Sequence, residues 1–92
     1  MKSHNSNIEA YKDGSKVASI QSINYITERG MHPSGNLVFC SFSYPFLEGK
    51  TLPQFDIVIR EEDRTITLLG VTVTDFHKDE IAFNFTADSV KE

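Results

Sequence analysis

A small, mainly antiparallel β domain is the fold class this sequence predicts, and three observations predict it. Apolar and polar residues alternate with period two, most clearly where Ile81, Phe83 and Phe85 alternate with Ala82, Asn84 and Thr86. Turn signals recur at about 8–12 residues, the spacing of a β-sandwich or small barrel. Seven Phe, three Tyr and plentiful Val, Ile and Thr suit a pleated, half-buried surface. The expectation is an antiparallel sandwich or small barrel of about six strands. Periodicity leaves room for one short flanking helix, over residues 46–52 or within residues 17–26.

Each element follows from local chemistry. Residues 1–7, Met-Lys-Ser-His-Asn-Ser-Asn, hold nothing that would anchor them and read as a flexible N-terminus. Ile8 to Tyr11 is a short strand, and Asp13-Gly14 supplies the positive φ of a tight hairpin that brings Val17 back beside Ile8. In residues 17–27, Ala18 and Ile20 share one parity while Ile23 and Tyr25 share the other, so a bent strand with a β-bulge near Gln21-Ser22 is expected. Gly30, Pro33 and Gly35 break regular structure, and residues 29–36 read as a loop. Leu37 to Tyr44 is the most apolar strand, ended by Pro45, and residues 46–53 connect it to a half-buried strand over Phe55, Ile57 and Ile59. Glu61-Glu62-Asp63-Arg64 is a charged turn. A long strand over residues 65–76 changes parity at Gly70, where a bulge fits. His77-Lys78-Asp79-Glu80 is the last turn, and residues 89–92 read as a fraying tail. The single β domain thus spans residues 8–88.

Size and charge narrow the function. A chain of 92 residues buries only about two-thirds of its unfolded surface, enough for one thin core and no second domain. The net charge is −4 and the nine Lys and Arg are scattered, so no basic footprint for a phosphate backbone exists. With Cys40 the only cysteine, no intrachain disulfide forms, as suits a reducing cytoplasm. The first ten residues lack the apolar stretch of a signal peptide, and the longest aliphatic and aromatic run, Leu37-Val38-Phe39, is too short for a membrane helix.

Chemistry finds little purchase. His4, His32 and His77 lie far apart, without the short spacing of zinc ligands. Cys40 sits in an apolar strand and reads as a small core residue, its thiolate suppressed by burial. The clusters Glu61-Glu62-Asp63 and Asp79-Glu80 lack the alternating ligands and central Gly of a calcium loop and read as solvated turns. No nucleophile elbow, Walker loop or dinucleotide fingerprint occurs. No enzyme, metal or cofactor is expected. Most aromatic rings read as core, and Phe46 and Leu47, with Arg29, Met31 and His32 in the loop before Gly35, are the candidate interface residues.

Several segments in order carry a resemblance. Asp13-Gly14 leads into a strand holding Ile23-Asn24-Tyr25. Gly35-Asn36-Leu37-Val38-Phe39 is followed by Leu52-Pro53-Gln54-Phe55-Asp56-Ile57-Val58-Ile59, then Leu69-Gly70-Val71-Thr72-Val73, then Phe85-Thr86-Ala87-Asp88. Over about Tyr11 to Asp88 this order resembles small virion proteins of the tail-tube and baseplate group of long-tailed bacteriophages. The chain departs from that pattern in a short loop over residues 29–35, where relatives carry a longer basic insertion, and in Leu69, where they carry an aromatic. The resemblance implies a tail-tube-like fold of two packed sheets with a flanking helix. It also implies a non-enzymatic tube, terminator or baseplate component assembled in the host cytoplasm into a hexameric ring of the virion. Its partners would be its own copies and other tail proteins, with DNA only as passing cargo and no membrane. A closed ring would cover sheet edges that an isolated domain leaves open. Two other classes remain as alternatives: a small β adaptor binding peptides through an exposed edge strand, and a nucleic-acid-binding barrel.

Overall fold

Asp13 and Gly14 both take positive φ, 53° and 82°, the signature of a type I′ turn, whose twist matches that of the flanking strands. They join β2 (Ile8–Lys12) to β3 (Ser15–Ile26) in a computed structural model that describes residues 1–42, 53–74, 76, 77 and 80–92, the side chain of Phe42 excepted. A two-residue turn pairs Lys12 with Ser15, and a bulge at Ala10/Tyr11 then sets Ala10 opposite Ala18 and Ile8 opposite Ile20. The expected partner of Ile8, Val17, is thus corrected to Ile20: the turn falls at Asp13-Gly14, one residue later than that pairing requires, and the bulge adds one more residue to the offset. The bulge expected near Gln21-Ser22 is present, whereas the one at Ala10/Tyr11 was not foreseen. Ile20 pairs with Phe39 and Ser22 with Val38, so Gln21 is skipped and all of Ala18, Ile20, Ile23 and Tyr25 point inward.

The remaining strands are β4 (Ser34–Phe42), β5 (Phe55–Arg60), β6 (Thr65–Thr74) and β7 (Ala82–Thr86), with short β1 (Lys2–His4) and β8 (Ser89–Lys91) at the two ends of the chain. The order β3-β2-β5-β6-β7-β4 closes through a β3–β4 pairing into a six-stranded antiparallel barrel. β1 extends the edge of β3 beyond β2, and β8 pairs with β6 beyond β7. The described residues contain no helix. The segment 17–26 is strand, and the helix expected over 46–52 lies outside the described residues.

Three further expectations are corrected. Residues 1–7 are not wholly loose, because Lys2, Ser3 and His4 pair with Tyr25, Asn24 and Ile23. Nor does the tail from Ser89 fray: Val90 pairs with Leu68 and is half-buried. The loop after Ile26 ends sooner than expected, with Ser34, Gly35 and Asn36 already in β4. Gly35 serves close approach instead of a turn, since a Cβ there would lie 1.9 Å from the Asn24 carbonyl oxygen.

Side chains fill the barrel. Tyr25, Phe39 and Phe85 are the largest fully buried ones. Phe39 meets Phe55 and Phe83 at centroid distances of 6.2 and 5.9 Å in tilted geometry, the arrangement aromatic quadrupoles favour. At the far end, Gly70 sits in the expected bulge at φ 63°. Its N–H donates to the Asp56 carboxylate at 3.0 Å, and the N–H of Asp88 donates to the Leu69 carbonyl at 2.8 Å. Asp56, Gly70 and Asp88, from three separate sequence motifs, form one knot that ties β5, β6 and the β7–β8 junction.

Candidate assembly surface

Formal charge is unevenly placed on the barrel. β4, β6 and β7 contain no Lys, Arg, Asp or Glu, and β3 has only Lys16 at its start. In the barrel these strands are neighbours, in the order β3-β4-β7-β6. Their outward positions form rungs. Asn24, Asn36 and Asn84 stand opposite one another across β3, β4 and β7, with Thr74 of β6 next in line. A second rung runs Ile26, Ser34, Thr86 and Thr72, and a third Ser22, Val38 and Ala82. The Asn24 amide donates to Asn36 Oδ1 at 3.0 Å, and the Gln54 amide donates to the Thr72 hydroxyl at 3.0 Å. With about 30% of surface positions ordinarily charged, eleven outward positions with none would arise by chance roughly once in fifty. Interfaces, by contrast, are depleted of charge at their centre.

The opposite face, β2 and β5 with the start of β3, is charged and internally paired. Lys16 Nζ lies 3.0 Å from Glu9 Oε2, Arg60 also pairs with Glu9, and the Arg60 guanidinium sits 5.8 Å from the Tyr11 ring centroid. The hydrogen bond from Lys16 is the main cause that holds the Glu9 carboxylate below its ordinary range, against an opposing effect of partial burial. The sign follows: a depressed carboxylate contributes stability above its ordinary value, lost as the pH falls through the folded-state value. Glu9→Gln is therefore expected to flatten the loss of stability as the pH falls below the ordinary carboxylate range in acid titration, by less than about 1 kcal/mol because the network is exposed.

One end of the barrel carries a charged clasp. His4 Nδ1 lies 3.2 Å from Glu61 Oε1, Lys2 Nζ 3.3 Å from Glu92 and Arg64 Nε 3.0 Å from Glu61. Beneath it the His4 and Tyr25 rings stack at 6.0 Å. His4 therefore belongs to a strand and a packed end, not to the loose polar start its sequence context suggests. Burial pushes the Tyr25 hydroxyl up, helped by Glu92 and Glu61 and opposed by Arg64. Among the described residues no three His, Cys, Asp or Glu side chains gather at metal-binding distance.

Of the expected interface residues, Met31 and His32 come together. With Ile26, Glu28 and Ser34 they line a shallow hollow at the corner of the uncharged face, where Met31 is 66% and Ile26 42% exposed. His32 Nδ1 lies 3.4 Å from the Asp88 carbonyl oxygen, which fixes the loop to the β7–β8 junction. Arg29 is exposed but does not line the hollow. Phe46 and Leu47 lie outside the described residues. Cys40, expected in the core, is exposed: Phe39 points inward and strand alternation turns its neighbour out. The uncharged face itself escapes a motif search, yet the sequence signals it in four runs without a charged residue, 17–27, 30–47, 65–74 and 81–87. Comparison of the chain with protein-family models, with curated proteins and with solved structures returns no match.

Proposed function

We propose that the chain is a non-enzymatic structural component of a bacteriophage tail, a tube, terminator or baseplate protein that works by associating with its own copies into a ring. The observation that carries this reading is the uncharged face of β3, β4, β7 and β6 on a chain of net charge −4. Identical acidic chains repel at long range, so they meet most readily where neither presents charge. The reading is also supported by three of the five segments that carry the resemblance, which meet where Asp56, Gly70 and Asp88 come together. DNA would pass such an assembly unheld, because the charged face is of mixed sign with its Lys16 and Arg60 already paired to Glu9.

Light scattering across a concentration series is expected to show a mass rising well above the monomer, with ring-shaped particles, six subunits each, in negative-stain images. Added salt should strengthen association by screening the like net charges. Asn84→Lys, which places a cation at the centre of the face, should return the protein to monomer at concentrations where Arg60→Ala still assembles. Wild-type protein that stays monomeric at high concentration, or Asn84→Lys that assembles normally, contradicts the proposal.

A second reading has one observation in its favour. Among the described residues β1 and β8 each pair with a single neighbour, β3 and β6, and their outer edges are where an extended peptide could add as a strand. An adaptor of that kind would be a stable monomer, so the same light-scattering series separates the two.

A further inference from the structure

We propose that β1 is a releasable strap: a closed circuit of charged side chains locks it to one end of the barrel, and it leaves the β3 edge as a unit when salt weakens that circuit, while the barrel stays folded. This goes beyond the self-association reading and does not depend on it. Lys2 Nζ lies 3.3 Å from Glu92 Oε1, and the same oxygen lies 3.6 Å from the Arg64 guanidinium. Arg64 Nε lies 3.0 Å from Glu61 Oε2, and Glu61 Oε1 lies 3.2 Å from His4 Nδ1. Lys2 and His4 occupy alternate positions of β1 and share one side of it, so the circuit both starts and ends on the strap. Its other members are fixed to the barrel. The Glu61 N–H donates to the Arg64 carbonyl at 2.9 Å, which closes the β5–β6 turn, and Glu92 follows β8, itself paired to β6.

The strap has little else to hold it. Among the described residues it pairs with β3 alone, Lys2 with Tyr25, Ser3 with Asn24 and His4 with Ile23. The connection to β2 is pinned at Asn7, whose φ of 56° is one that Asn adopts more readily than most residues, and whose carbonyl accepts from the Arg60 N–H at 3.0 Å. Asn5 and Ser6 are left as the hinge. With Ser3, Arg60 and Glu62 they line a polar hollow of about 300 Å³ between the strap and the β5–β6 turn.

Two buried polar atoms oppose the closed state. The Tyr25 hydroxyl and His4 Nε2 have no hydrogen-bond partner among the described residues, and the two rings stack on each other at 6.0 Å. A buried polar group without a partner favours any conformation that gives it water. The Tyr25 hydroxyl, pushed up by burial and then by Glu92, lies within the field of the circuit, so the circuit covers it. Lys2, Arg64 and Glu92 are nearly half-exposed, and charges so placed are screened by salt. Closure thus sets a screened circuit and three strand pairings against two unsatisfied groups. Ionic strength tips that balance, and with it access to the backbone edge from Ile23 to Tyr25.

Native-state hydrogen exchange, followed by NMR at fixed pH, tests the strap. Between about 20 mM and about 500 mM salt the screening length falls from roughly 20 Å to roughly 4 Å. The amides that bond β1 to β3 should then exchange at least about threefold faster relative to those of β5, which lies between β2 and β6. Glu92→Gln, which breaks the circuit at both Lys2 and Arg64, should show the faster exchange already at low salt and lose most of the salt response. Tyr25→Phe removes the unpartnered hydroxyl and should slow exchange at β1 about fivefold or more. The proposal is overturned if β1 amides exchange together with those of β5 at every salt concentration, or if Glu92→Gln keeps the full salt response. Exchange at β1 that is unchanged or faster in Tyr25→Phe overturns it as well.

Discussion

Gly35→Ala is expected to be the most damaging single methyl in the chain, lowering stability by about 3–5 kcal/mol in chemical denaturation with little change in slope. Gly35 stands between Tyr25 on β3 and Phe85 on β7. A Cβ there would lie 1.9 Å from the Asn24 carbonyl oxygen and 2.7 Å from the Tyr25 Cα. Both are backbone atoms, so no side chain can swing aside. β3 and β4 would have to separate at the pairing that closes the barrel, uncovering Tyr25. Gly14→Ala is the informative control. Nothing among the described residues lies within 4 Å of a Cβ there, but φ is +82°, so its cost is the roughly 1–2 kcal/mol of a left-handed non-glycine residue. Equal losses for the two variants would show that conformation, not close approach, governs Gly35.

Phe39→Ala is expected to cost about 3–5 kcal/mol by the same measurement, the usual range for truncating a buried Phe. The ring is 1% exposed and bridges Phe55 of β5 and Phe83 of β7 across the interior. Its loss leaves a void that rigid barrel strands cannot collapse to fill. Against the roughly 5–15 kcal/mol that holds an ordinary domain together, a loss of this size leaves a marginal fold. Val38→Ala, one residue away and pointing outward, should change stability by well under half as much. The comparison separates the two faces of β4.

That comparison also marks how far the sequence could be read. Period-two alternation and turn chemistry are local properties, so the β class, the Asp13-Gly14 hairpin and the bulges at Gln21 and Gly70 were all legible. Closure was not, because the β3–β4 pairing that turns a sandwich into a barrel depends on register over many residues. Gly35 misled for a related reason: glycine marks a turn and a close backbone approach with the same letter. The run Leu37-Val38-Phe39-Cys40 is apolar at both parities, and an apolar outward residue reads identically whether core or partner covers it. β1 and β8 were missed since their three residues are too few for a pattern, and pairing with β3 and β6 supplies what propensity does not.

The candidate surface was legible in a different way. Met31 and His32 were found by their place in the loop before Gly35, and the structure seats them beside Ile26. The larger face was missed because its signal is the absence of a residue class, spread over four separated runs that only the strand order β3-β4-β7-β6 brings together.

The central claim is that this uncharged face is buried when copies associate, and Cys40 reports on it directly from the outer side of β4. Maleimide labelling of wild-type Cys40 should be fast in dilute protein and slow at least fivefold at concentrations where light scattering shows assembly. An unchanged labelling rate in assembled protein would contradict the claim, because the copies would then be meeting through another surface.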